Sequence, residues 1–78
     1  MKVTVILYDK DHNVYDSFNN IVKITYTKPY YTPINVTVEG EDLLTHEFST
    51  NYDLHLYSPS ASYLINRHII YDLRIVKD

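Results

Sequence analysis

The sequence predicts an all-β protein, folded as a small antiparallel barrel or as a two-sheet sandwich of about seven short strands. Short segments of alternating apolar and polar residues recur along the chain, and turn-forming residues separate them. No stretch of about eleven residues or more keeps the apolar spacing of an amphipathic helix. With 78 residues, the chain has the size of one domain, which we assign to residues 1–78.

Residues 1–8 predict the first strand because Val3, Val5 and Leu7 alternate with the other side chains. The polar run 9–13 is rich in turn formers, and the extended pattern resumes over residues 14–18. We therefore expect the first two strands to form a hairpin, with a break at Asn19-Asn20.

The next two predicted strands span residues 21–27 and 34–39. Between them, Pro29 and Pro33 remove two amide donors and indicate a connection or a ragged edge. Gly40 follows the second of these strands, where a tight turn would need a positive φ angle. We expect residues 43–49 to return as its hairpin partner.

The pairing of apolar residues predicts a hairpin around the three-residue loop 49–51. A loop of this length sets Phe48 opposite Tyr52 and keeps apolar residues together. The same register sets Glu47 opposite Asp53 and Thr45 opposite His55. Glu47, Asp53 and His55 could then hold a divalent metal. An exposed, solvated face is the favoured interpretation, since no His-x-His spacing reinforces the cluster, and we predict no metal site.

The last part of the chain is predicted to contain a loop over 58–62, a short segment of ambiguous type over 63–65, a turn at Asn66-Arg67 and a closing strand over 68–76. Ile70 and Val76 fall on the outward face of that strand, which suggests a strand covered on both faces. A small domain without disulfides needs further support. We therefore expect a homodimer, formed through a strand edge or a tyrosine-bearing face.

Composition excludes several classes of function. The formal charge of −3, with acidic residues scattered, argues against generic binding of nucleic-acid backbones. The absence of cysteine fits a reducing cytoplasm, and no apolar run predicts a signal peptide or a membrane span. A single glycine and no cysteine leave no nucleophile elbow and no phosphate-binding loop. We predict neither an enzyme nor a cofactor.

The nine tyrosines are the most suggestive feature for function. Several lie on or beside loops that contain proline or serine, a composition like that of binding loops. The alternative is that these tyrosines fold back over a small core. Tyr-Asp dipeptides recur four times, which we interpret as inside-then-outside alternation along strands. The predicted binding residues are Lys28, Tyr30, Tyr31, Tyr57, Tyr63 and Arg67.

Taken whole, the chain resembles small uncharacterised proteins of phages and prophages of low-GC Gram-positive bacteria. The resemblance rests on the short length, the hairpin of residues 5–15, the wealth of Tyr, Asn and Ile, and the lack of Cys. It implies interference with host defence, as by anti-CRISPR proteins or by sponges for signalling nucleotides, or a minor part of the virion.

The leading functional prediction is an accessory protein that binds and inhibits a host protein in the host cytoplasm. A minor virion component is one alternative. The other is a sponge that sequesters a small nucleotide, with Lys28 beside Tyr30 and Tyr31, or Arg67 beside Tyr63, stacking on it and pairing with it.

Overall fold

Seven strands form two antiparallel sheets in the computed structural model, which describes residues 1–78. The strands are β1 (Val3–Tyr8), β2 (Val14–Ile21), β3 (Lys23–Lys28), β4 (Ile34–Glu39), β5 (Leu54–Tyr57), β6 (Ser62–Ile65) and β7 (Asp72–Lys77). One short helix, α1 (Asp42–Thr45), and one 3₁₀ turn (Arg67–Ile69) complete the fold. Neither is long and apolar enough to cross a membrane. The predicted all-β class is confirmed, and the two sheets fit a sandwich rather than a closed barrel.

The three-stranded sheet has the order β2-β1-β7. Its central strand buries Val3, Val5 and Leu7, as the alternation predicts. β2 does not end at the predicted break, because it continues to Ile21, which pairs with Val3. The pairing of β1 with β2 shifts register at Asn19-Asn20, and Asn20 has a φ of 60°. Asn tolerates the left-handed region better than most residues, so a bulge forms where we expected a break.

The four-stranded sheet has the order β4-β3-β5-β6. Ile24 on β3 lies opposite Val38 on β4 and Leu56 on β5, and all three are buried. The opposite face of the same strands carries polar side chains such as Thr25, which pairs with Thr37. Both sheets thus contribute one apolar face to a shared core of buried aliphatic side chains and Tyr26.

The predicted strand over residues 43–49 is wrong, because the chain turns into α1 there. Gly40 adopts a φ of 64°, as the turn prediction required, and its carbonyl accepts a hydrogen bond from the Leu43 N–H. Leu43 is buried while Leu44 is exposed. A single helical turn is too short to leave a periodic pattern, so the local alternation of Leu44, His46 and Phe48 indicated a strand.

The hairpin that we predicted around residues 49–51 is therefore not formed. His55 pairs with Thr25 on β3 and with Leu64 on β6, instead of with Thr45. The predicted cross-strand pair of Glu47 with Asp53 is lost as well. No group of three or more metal-binding side chains is found in the chain.

The closing strand is shorter than predicted, since β7 begins only at Asp72. The preceding residues form the 3₁₀ turn, where the Asn66 side chain accepts a hydrogen bond from the His68 N–H. This turn changes the direction of the next side chains, so Ile70 is buried in the core and not outward as expected. Residues 63–65, of ambiguous type in the sequence, belong to β6.

Replacing Gly40 by alanine tests the turn before α1. No atom lies within 4 Å of the Cβ position, so the added methyl group makes no steric clash. Because alanine is strained at a left-handed φ, the variant should still lower the free energy of unfolding by about 1–2 kcal/mol, measured by urea denaturation. Gly40→Asn is the matched control and should lose less stability, because asparagine tolerates the left-handed region of φ. Equal losses in both variants would contradict this explanation.

Candidate binding surfaces

The end of the three-stranded sheet brings together the β1–β2 turn and the residues before β7. Tyr8 lies opposite Val14 on β2 and opposite Asp72 on β7. The Tyr71 N–H donates to the Tyr8 carbonyl over 3.2 Å. We call this end of the sheet, from residues 9–16 to residues 68–72, the hairpin tip.

Asp9 fixes the turn of the hairpin tip. Its Oδ1 accepts hydrogen bonds from the main-chain N–H groups of Asp11 at 2.9 Å and Asn13 at 3.0 Å. Its own N–H donates to the Asn13 carbonyl, and its carbonyl accepts from the His12 N–H. His12 has a φ of 62° within this turn. The turn is therefore held by side-chain and main-chain bonds together, as in an Asx turn.

Large apolar side chains are exposed at the hairpin tip. Val14 is 62% exposed, Tyr15 55%, Ile69 44% and Tyr71 60%. We call these four residues the tip patch. Three of them line a shallow depression of about 390 Å³ together with Asp9, Lys10, His68 and Ile70. Exposed apolar groups that cluster in this way mark interaction surfaces more often than scattered ones do.

The hairpin tip also carries the charge of the protein. Its charged residues are Lys10 and the four aspartates Asp9, Asp11, Asp16 and Asp72. Their formal sum is −3, which equals the net charge of the whole chain, so the other six acidic and six basic side chains cancel. Arg74 lies farther along β7, opposite Ile6. Four aspartates therefore lie at the same end of the sheet as the tip patch, and Asp9 lines the depression itself.

A second surface is a cleft where β5 separates from β3. β3 pairs with β4 along its whole length, but with β5 only from Lys23 to Thr25. The cleft that results has a volume of about 370 Å³. Its lining residues are Thr25, Tyr26, Thr27, Pro29, Asn51, Tyr52, Asp53, His55, Leu64 and Arg67.

The walls of the cleft are tied together by specific contacts. The Arg67 main-chain N–H donates to Asp53 Oδ1 over 2.8 Å, which joins the 3₁₀ turn to the segment before β5. The ring of Tyr52 stacks on Tyr26, with centroids 5.4 Å apart and planes at 13°. The Tyr26 hydroxyl is hydrogen-bonded to His46 Nε2 at 2.7 Å. The aromatic wall of the cleft is therefore fixed in place.

Among the predicted binding residues, only Arg67 lines this cleft. Tyr63 lies opposite Leu56, on the core-facing side of β6, with its ring 4.8 Å from that of Phe18. Arg67 and Tyr63 thus face different surroundings. Tyr57 lies on the outer face of the four-stranded sheet, stacked on His55 with the Lys23 ammonium 4.5 Å from its ring centroid.

The remaining predicted residues lie where β3 ends. Lys28 is the last residue of β3 and is partly buried. Tyr30 is half exposed, and Tyr31 is fully exposed in the connection to β4. The six predicted residues therefore do not form one site.

Sequence reasoning did not select the tip patch, although one signal pointed to it. Three of the four Tyr-Asp dipeptides, which begin at Tyr8, Tyr15 and Tyr71, converge at the hairpin tip. The fourth, which begins at Tyr52, lines the cleft. The sequence interpretation of the repeated dipeptide was alternation along strands. The fold also brings three of the four dipeptides close together at one end of a sheet.

Comparisons with protein families, with curated proteins and with solved structures return no match for this chain.

Proposed function

We propose that the chain is a phage-type accessory protein that binds a host protein through its hairpin tip and thereby inhibits it. The observation that supports this proposal most is the tip patch, with four aspartates at the same end of the sheet. Tyr15 and Tyr71 expose large aromatic surfaces beside Val14 and Ile69, next to the turn of residues 9–13 that the Asp9 side chain closes.

The physical argument begins with the tyrosines. Tyrosine has few rotatable bonds and offers both apolar area and a hydroxyl group, so it is enriched among residues that contribute most to binding. A turn that is already ordered loses little conformational entropy when a partner binds. The hairpin tip combines both properties, because Tyr71 is anchored through its main-chain bond to Tyr8.

The charge of the hairpin tip indicates the charge of the partner's binding surface. Four aspartates at the hairpin tip favour a partner surface that presents lysine and arginine beside an apolar area, since complementary potentials speed association and fix orientation. Basic surfaces are where proteins bind nucleic acids and other phosphate ligands. An acidic protein that occupies such a surface on a host protein blocks its normal ligand, which is a mechanism for inhibition in the host cytoplasm.

Affinity capture with charge variants tests this proposal. A tagged chain should recover a host protein at low ionic strength and lose it at about 1 M salt, where the Debye length is about 3 Å. Asp11→Asn with Asp16→Asn should reduce the recovery strongly, because both carboxylates lie at the hairpin tip. The matched control, Glu39→Gln with Glu41→Gln, removes the same charge elsewhere and should recover the partner as the wild type does. Equal recovery by both variants would refute the proposed surface.

The alternative of a minor virion component predicts co-purification with phage particles instead.

The expected homodimer also remains a prediction, but the structure changes which surface could form it. Ile70 is buried within its own chain and cannot serve as the outward contact that we expected. A two-fold pairing of hairpin tips would oppose four aspartates to four others, so a homodimer would use a strand edge such as that of β7.

A further inference from the structure

The cleft between β3 and β5 has the size of a small-molecule site. Its volume of about 370 Å³ lies at the low end of the roughly 300–1,000 Å³ that ligand pockets occupy. A folded partner could not enter it, whereas one small ligand could. The cleft and the depression at the hairpin tip share no lining residue.

The lining favours a polar ligand. Only three of the ten lining residues are hydrophobic. The others include the hydroxyl group of Thr25, the amide of Asn51 and the carboxylate of Asp53. The Thr27 hydroxyl donates to Asn35 Oδ1 and can still accept, and His55, whose Nδ1 is bonded to the Tyr57 hydroxyl, keeps its Nε2. These groups both donate and accept hydrogen bonds, which suits a ligand with several polar edges.

One cation and one carboxylate set the charge of the cleft. The bond between Arg67 and Asp53 uses the main-chain N–H of Arg67, so it leaves the guanidinium group available to a ligand. Guanidinium binds phosphate and carboxylate through paired hydrogen bonds. The carboxylate of Asp53 accepts from N–H donors. The ligand should therefore carry one anionic group and, apart from it, N–H donors.

The aromatic wall adds a preference for a planar ring. Tyr52 is backed by Tyr26, which is itself fixed through His46. Base-to-aromatic stacking is worth about 1–3 kcal/mol per base and tolerates any base. An ordered aromatic ring beside polar groups is thus suited to a heteroaromatic base.

We infer that this cleft binds a mononucleotide, with its phosphate at Arg67, its ring on Tyr52 and the polar edge of its base at Asp53. The inference is independent of the proposed function, because it rests on no residue of the hairpin tip.

Calorimetric titration of the full chain tests the inference. The probes are the nucleoside monophosphates of each base and their cyclic forms, with the matching nucleosides, ribose 5-phosphate and inorganic phosphate as separate arms. Arg67→Gln should weaken nucleotide binding by about tenfold or more, since it removes a charge-assisted contact, and should leave nucleoside binding unchanged. Tyr52→Leu should weaken nucleotides and nucleosides alike. The matched control, Arg74→Gln, alters the only other arginine and should bind as the wild type does.

Three results would overturn the inference. The first is no binding of any nucleotide at about 1 mM, the weak end of the affinity scale. The second is equal affinity for inorganic phosphate and nucleotides, which would mean an anion site only. The third is unchanged nucleotide binding in Arg67→Gln, confirmed as folded by its melting curve. A Tyr15→Ser variant with Tyr71→Ser should bind nucleotides normally, so failure here and failure of the hairpin-tip proposal are distinguishable.

Discussion

Leu56→Ala is expected to lower the free energy of unfolding by about 2–5 kcal/mol, the range for deleting a buried leucine side chain. Leu56 is fully buried and lies opposite Ile24 on β3 and Tyr63 on β6. Below about 70–80 residues a single hydrophobic core rarely supplies more than about 3–5 kcal/mol, so this variant should be close to unfolded at room temperature. Urea denaturation followed by circular dichroism measures the loss.

Leu64→Ala is the matched control, because it makes the same chemical change on the neighbouring strand. Leu64 is 69% exposed on the outer face of the sheet. Its loss should stay within about 0.5 kcal/mol, as for most surface substitutions. Similar losses for Leu56→Ala and Leu64→Ala would contradict the assignment of the inner face.

The sequence predicts the strands whose alternation decides which face is buried. β1 is the clearest example, since Val3, Val5 and Leu7 bury one face as the pattern requires. The turn at Gly40 was also predictable, because a glycine after an alternating run indicates a positive φ. These features depend on local residue order, which a single sequence displays directly.

The failures come from segments where tertiary contacts decide the outcome. In α1, burial of Leu43 against the core overrides the local alternation that favoured a strand. In the 3₁₀ turn, the Asn66 cap and the bond from the Arg67 N–H to Asp53 set the conformation, and Asp53 is distant in sequence. The burial of Ile70 follows from that turn, so alternation could not predict it.

The candidate surfaces were less predictable than the fold. Proline beside Tyr30 and Tyr31, and the serine-rich loop between Tyr57 and Tyr63, indicated binding loops. The tip patch instead joins Tyr15 and Tyr71 from distant parts of the chain. Only the pairing of β1 with both β2 and β7 brings them to one end of a sheet. Arg67 was selected from the sequence, but its neighbours in the cleft follow from the early end of the β3–β5 ladder.

Tyr15→Ser combined with Tyr71→Ser is expected to weaken binding of the captured host protein by at least about 30-fold, which corresponds to about 2 kcal/mol for residues that dominate an interface. Both side chains are more than half exposed, so their removal should leave the melting temperature nearly unchanged. Tyr30→Ser with Tyr31→Ser is the matched control, since it removes two exposed tyrosines from the β3–β4 connection and should keep the wild-type affinity. Calorimetry with the purified partner measures both.

Site-specific photocrosslinking in host cells tests whether the host protein binds at the hairpin tip. A photoreactive phenylalanine analogue placed at Tyr71 should form one covalent adduct with the host protein, and the same analogue at the fully exposed Tyr31 should form none. Asp11→Asn with Asp16→Asn in the Tyr71-labelled chain should reduce that adduct. An adduct from position 31 without one from position 71 would refute binding through the hairpin tip, because it would place the partner on the β3–β4 connection.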